Sequence, residues 1–139
     1  MNIRSRIWSF ISALYPWWLR RRYGMTIGRN CVISTGARLD LSINPQGIHI
    51  GDNVWVLKGA IILAHDHCRS LKADTCIGNN CVVGLNAIIM PGIHIGDQVI
   101  IGSGSVVTKD IPSHCIAVGN PARVVKEGIR VNCSGQIVQ

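Results

Sequence analysis

Residues 62–67 read Ile-Leu-Ala-His-Asp-His, and a polar stretch at residues 68–75 follows directly. His65 and His67 are the side chains best suited to chemistry. A neutral imidazole can take the proton of a hydroxyl as that hydroxyl attacks a carbonyl near pH 7, a gain of roughly 10²–10⁴-fold. By type and spacing alone, the simpler reading of both histidines is a solvated loop side chain. The six cysteines, at positions 31, 68, 76, 81, 115 and 133, include no CxxC pair. Cys31, Cys81 and Cys115 lie in apolar stretches, where a thiol behaves as a small hydrophobe. All six are expected to be reduced thiols of a cytosolic protein rather than a disulfide framework.

The histidines must be held by a repeat. From Ile77 the chain divides into IGNNCV, VGLNAI, IMPGIH, IGDQVI, IGSGSV and VTKDIP, with Ile or Val opening every six. The fifth residue is small or β-branched in most of them. The same frame runs through IGRNCV, ISTGAR and LDLSIN from Ile27, and through IGDNVW, VLKGAI and ILAHDH from Ile50. A period of six fits neither a helix nor an alternating strand. It fits a short strand and a turn, three times per triangular coil, with the aliphatic residue stacked inward. The expected fold is an all-β solenoid with coils at about residues 27–44, 50–67, 77–94 and 95–112.

The register breaks at residues 45–49 and again at residues 68–76. An unbroken repeat would turn Asp66 inward, and an unpaired buried carboxylate is costly. The chain is therefore expected to leave the coil near Ala64 and to project a loop. Irregularity in so regular a scaffold is where a site belongs.

With 139 residues, 47% hydrophobic and 15% charged, the chain is a single ordered domain rather than a disordered or multidomain one. Its formal net charge of +7 comes from residues 1–39, which hold seven Arg and no acid. Nothing resembling a nucleic-acid recognition signature accompanies that charge, so no nucleic-acid partner is expected. Ile3, Ile7, Phe10, Ile11, Leu14 and Trp18 recur at helical spacing, flanked by Arg4, Arg6, Arg20, Arg21 and Arg22. This predicts an amphipathic helix, with Pro16 permitting a kink or a fresh start. Trp17, Trp18 and the arginines argue against a cleaved signal. Residues 1–23 suit either a membrane interface or packing across the base of an oligomer. Location in the cytoplasm, peripheral to the inner leaflet, follows from the first reading.

The segments IGDNVWVLKGAIILAHDH, IGNNCVVGLNAIIMPGIHIGD and IGSGSVVTKDIPSHCIAVGNPARVV carry a resemblance. Over about residues 27–127 the chain resembles the hexapeptide-repeat acyltransferases, and within them the maltose, galactoside and polysaccharide O-acetyltransferase branch. The resemblance implies a left-handed parallel β-helix of about four to five triangular coils with a short N-terminal helix. It divides the chain into a basic helical segment (1–26), the β-helix (27–118, with its loop at 68–76) and an extension (119–139). It implies acetyl transfer from acetyl-CoA to a hydroxyl of a sugar or polysaccharide precursor, in a cleft of a homotrimer.

Family spacing, counted from Ile50, puts the general base at His67, with His65 as the alternative. The same resemblance carries acetyl-CoA contacts to Gly84, Leu85, Ser103, Thr108, Lys109, Arg123 and Lys126. Val82 departs from the family, which often has Trp there; Trp55 holds the equivalent place one coil earlier. Sugar-amine N-acetylation and a non-catalytic binding or scaffold role are the competing functions. The γ-type carbonic anhydrases resemble the same helix but hold zinc through histidines that include an H-x4-H pair. Histidines 49, 65, 67, 94 and 114 contain no such pair, so no metal is expected.

Overall fold

The structure is a computed structural model and describes residues 2–139. Helix α1 (Ile3–Tyr23) is capped by the Asn2 side chain, which accepts from the Ser5 N–H, and ends on Gly24 at φ 73°. It runs through Pro16 without a second start, and that ring is buried.

Three parallel stacks follow, built from strands of two or three residues except for the five-residue Cys115–Gly119. The first stacks Thr26–Ile27, Ile48–Ile50, Thr75–Ile77 and His94–Ile95. The second stacks Val32–Ile33, Trp55–Val56, Val82–Val83, Ile100–Ile101 and Cys115–Gly119. The third stacks Arg38–Leu39, Ile61–Ile62, Ile88–Ile89 and Val106–Val107. The chain visits the three sheets in rotation.

The hexad frame is reproduced in register. Ile27, Ile50, Ile77 and Ile95 are aligned on successive strands, as are Ile33, Val56, Val83 and Ile101. Leu39, Ile62, Ile89 and Val107 form the third inward column. All twelve are buried, together with the fifth-position residues Cys31, Val54, Ala60, Cys81, Ala87 and Val99. With one aliphatic side chain per rung and a small residue beside it, the interior needs no aromatic ring.

One corner explains the Gly-Asx pairs that open the hexads. Gly51, Gly78 and Gly96 lie against the backbone of the next coil: a Cβ on Gly78 would sit 2.6 Å from the Gly96 carbonyl oxygen. The following side chain caps the coil beside it. Asp52 accepts from the Arg29 N–H at 2.7 Å, Asn79 from the Asp52 N–H at 2.8 Å, and Asp97 from the Asn79 N–H at 2.7 Å. Ser113 ends the series by accepting from the Asp97 N–H at 2.8 Å. Asn53, Asn80 and Gln98 come next, with φ of 55–56°. Asn tolerates that left-handed turn better than most residues.

The segment after the last parallel strand turns back. Ala122–Glu127 pairs antiparallel with Cys115–Gly119. Arg130–Val131 and Ile137–Val138 then form a hairpin lying over the second sheet. There the Trp55 Nε1–H reaches the Cys133 carbonyl at 3.5 Å, and Asn80 Nδ2 donates to the Val131 carbonyl at 3.2 Å. Trp8 of α1 also stacks on Trp55, with centroids 6.3 Å apart. Trp55 adjoins Val82 in the sheet, so this ring is shared between α1 and the tail. The tail carried no pattern that announced this packing.

At the opposite end, α1 packs against the first coil. The Arg20 guanidinium donates to the Ile27 and Gly28 carbonyls at 2.9 and 3.1 Å. In later coils the equivalent carbonyls of Ile50, Ile77 and Ile95 accept from Gly28, Gly51 and Gly78 of the preceding coil. Arg20 donates where the N–H of a preceding coil would.

Candidate active site

The turn from the third sheet to the first is where both register breaks fall. In the first coil it contains Asp40 and a 3-10 turn at Pro45–Gly47. In the second it is a hairpin in which His65–Asp66 pairs antiparallel with Leu71–Lys72. The chain leaves the coil after the buried Ala64, as the inward position of Asp66 requires. Asp66 instead accepts from Arg69, from Nε at 2.6 Å and from the backbone N–H at 3.2 Å, and these bonds hold its carboxyl below the usual carboxylate range. Thr75 returns the chain to the coil, its hydroxyl donating to the Leu63 carbonyl at 2.6 Å.

Asp40 is the residue that the repeat pattern did not single out. It follows the inward Leu39, which pairs with Ile62 one coil later, so its side chain lies beneath Ala64 and His65. Its carboxylate is 1% exposed. One oxygen faces the Ile43 and Asn44 N–H groups at 3.2 and 3.4 Å; the other accepts from the Ala64 N–H at 3.3 Å and from His65 Nδ1 at 2.5 Å. Burial alone would raise this carboxyl. The His65 bond and the backbone donors outweigh it, and Asp40 titrates below its ordinary value.

An ionised Asp40 can only accept, so the Nδ1 it faces carries the proton and Nε2 keeps a lone pair. The His65 side chain is 24% exposed. Such a ring can remove a proton from a hydroxyl, and the carboxylate beside it stabilises the imidazolium that forms. His67 is exposed, and among the described residues its side chain makes no hydrogen bond. A second pair, His49 Nε2 with Asp74 at 3.1 Å, lies on the outer side of the first sheet. Its carboxylate is 67% exposed, so solvent screens it and the ring is held less firmly.

The other residues singled out in the sequence divide between two corners and a hairpin. Thr108 and Lys109 are exposed at the same turn as His65, on the last full coil. Gly84, Leu85 and Ser103 lie at the turn between the second and third sheets, where Gly104 N–H donates to the Leu85 carbonyl. Gly84 is buried against the next coil, while Leu85 and Ser103 are exposed. Arg123 and Lys126 are exposed on the antiparallel Ala122–Glu127 strand. The third sheet therefore lies between the turn bearing Gly84, Leu85 and Ser103 and the turn bearing His65. No group of three or more metal-ligating side chains occurs among the described residues.

Similarity to known proteins defines the class. The family described as "Hexapeptide repeat of succinyl-transferase" matches residues 75–109. A solved maltose O-acetyltransferase from Clostridium difficile 630 is 34% identical, with 78% of this chain and 72% of that one covered at a TM-score of 0.63. A solved galactoside acetyltransferase in complex with coenzyme A is 27% identical, covering 81% and 68% at a TM-score of 0.63. A serine acetyltransferase of Synechococcus elongatus is 38% identical over 114 residues, 72% of this chain and 45% of that protein. The chain belongs to the hexapeptide-repeat acetyltransferase family, in the branch that includes the maltose and galactoside enzymes. It spans about half the length of the curated relatives it matches.

Proposed function

We propose that this protein transfers the acetyl group of acetyl-CoA to a hydroxyl of a sugar or polysaccharide precursor, with a histidine of the 65–67 segment as general base. We further propose that the three sheets are the faces of a left-handed β-helix of four to five coils, assembled as a homotrimer. The observation that carries the catalytic reading is the buried Asp40 carboxylate bonded to His65, which favours His65 over His67 as the base. His65 Nε2 takes the acceptor hydroxyl proton as its oxygen attacks the thioester carbonyl. Backbone N–H groups of the turns are the available donors for the resulting oxyanion. As the C–S bond breaks, the imidazolium returns its proton to the departing thiolate, and no acyl-enzyme forms.

Gly84, Leu85 and Ser103 stand across the third sheet from the histidine. This separation supports a site completed between neighbouring copies, with Thr108, Lys109, Arg123 and Lys126 available to the amides and phosphates of the donor. The maltose and galactoside acceptors in the relatives' names, and the coenzyme A in one of them, support the choice of acceptor and donor.

A panel of sugars with a free-thiol readout tests the reading. Acceptor-dependent thiol release is expected, with His65→Ala lowering it by at least roughly two orders of magnitude. His67→Ala with the larger loss would move the base two residues along; no release from any sugar would remove the sugar assignment.

A further inference from the structure

The amphipathicity of α1 is inverted relative to the body of the protein. Ser5, Ser12, Pro16, Leu19 and Tyr23, on the side turned to the first coil, are half-buried or buried. Ile3, Ile7, Phe10, Ile11, Leu14 and Trp18 are 42–76% exposed. At 3.6 residues per turn these six form one stripe, opposite the packed side. An apolar stripe on a helix that already packs by its other side calls for a second surface.

The charges around the stripe identify that surface. Arg4 and Arg22 flank it on one side, Arg6 on the other, and Arg21 continues its line. No acid occurs in residues 1–39. Packing the stripe on the same helix of another copy would set these arginines against their own kind with no carboxylate to offset them. A protein partner would need a matching acidic rim around an apolar groove. A lipid surface supplies both at once, acyl chains for the stripe and anionic headgroups for the arginines, and Trp is favoured at that boundary. No helix among the described residues is long and apolar enough to cross a bilayer, so the fitting arrangement is flat, with α1 in the plane of the headgroups.

We propose that the outward stripe of α1 docks this protein on the surface of an anionic lipid bilayer. The inference is independent of the catalytic reading and does not require activity. Flotation of the full chain tests it, with equimolar phosphatidylglycerol–phosphatidylcholine vesicles against phosphatidylcholine alone, at low and high salt. The chain is expected to float with the anionic vesicles, and at least roughly tenfold less with neutral ones or in high salt. Phe10→Ser/Leu14→Ser, both at exposed positions, is expected to lose at least roughly tenfold while circular dichroism and sedimentation stay unchanged. Arg4→Gln/Arg6→Gln/Arg21→Gln leaves the stripe intact and is expected to abolish the preference for anionic vesicles. Failure to float with anionic vesicles would overturn the proposal. So would unchanged flotation of both variants, or a Phe10→Ser/Leu14→Ser protein whose oligomeric state alone changes, which would make the stripe a contact between chains.

Discussion

Asp40 and His65 are 25 residues apart in sequence and 2.5 Å apart at their polar atoms. The register that pairs Leu39 with Ile62 makes them neighbours across one coil, and the departure of the chain after Ala64 turns the ring toward the carboxylate. Asp40→Asn keeps the shape and removes the charge. On the proposed mechanism Asp40 holds the base rather than the donor, so turnover is expected to fall roughly 10–100-fold with the KM for acetyl-CoA changed little. Steady-state kinetics on the two substrates check this split.

The same carboxylate links folding to acidity. Its titration is depressed in the folded protein, so its contribution is fully present above the unfolded value of about 3.9 and is lost as pH falls through the lower folded value. Thermal melts should show the wild type losing stability more steeply than Asp40→Asn below about pH 4. Near pH 7 the variant should be less stable by about 1–3 kcal/mol, the cost of a buried charge-assisted bond.

Close stacking at the glycine corner sets a limit on side-chain size. A methyl on Gly78 meets the Gly96 carbonyl, which belongs to a backbone held by its own rung and has little room to yield. Gly78→Ala is expected to cost about 1–3 kcal/mol, read as a lowered urea midpoint. Gly104→Ala meets nothing within 4 Å, but its φ of 72° makes it a backbone probe instead; a smaller loss, about 1 kcal/mol, is expected there.

Thiol reactivity should separate the cysteines by position. Burial pushes the Cys81 thiol up to about 12 and raises Cys31 and Cys115 as well. Cys68 and Cys133 are exposed. Native alkylation at pH 8 followed by peptide mass analysis should label Cys68 and Cys133 first, and Cys81 only after denaturation.

The rungs were legible because each inward position demands the same thing: one aliphatic side chain stacked on its equivalent, every six residues. The break before residue 77 was legible for the opposite reason, since a carboxylate at position 66 cannot follow that rule. The orienting residue was not, because Asp40 reads as an ordinary polar turn residue until coil spacing and the 45–49 insertion are counted together. His65 and His67 differ by two positions, and only the direction in which the chain leaves Ala64 distinguishes their surroundings. The tail was silent because its hold on the body rests on backbone groups and on just two buried side chains, Ile129 and Val131, too few to form a readable pattern.

Parallel stacks expose unsatisfied edges at both extremities, and such edges invite further copies to add on. Here Arg20 occupies the starting edge, and the reversal at Cys115–Gly119 and Ala122–Glu127 blocks one face of the finishing edge. A strand edge covered in this way offers fewer open backbone groups to a further strand, so the first sheet at its start and the second at its finish are the places where added copies would find least to pair with.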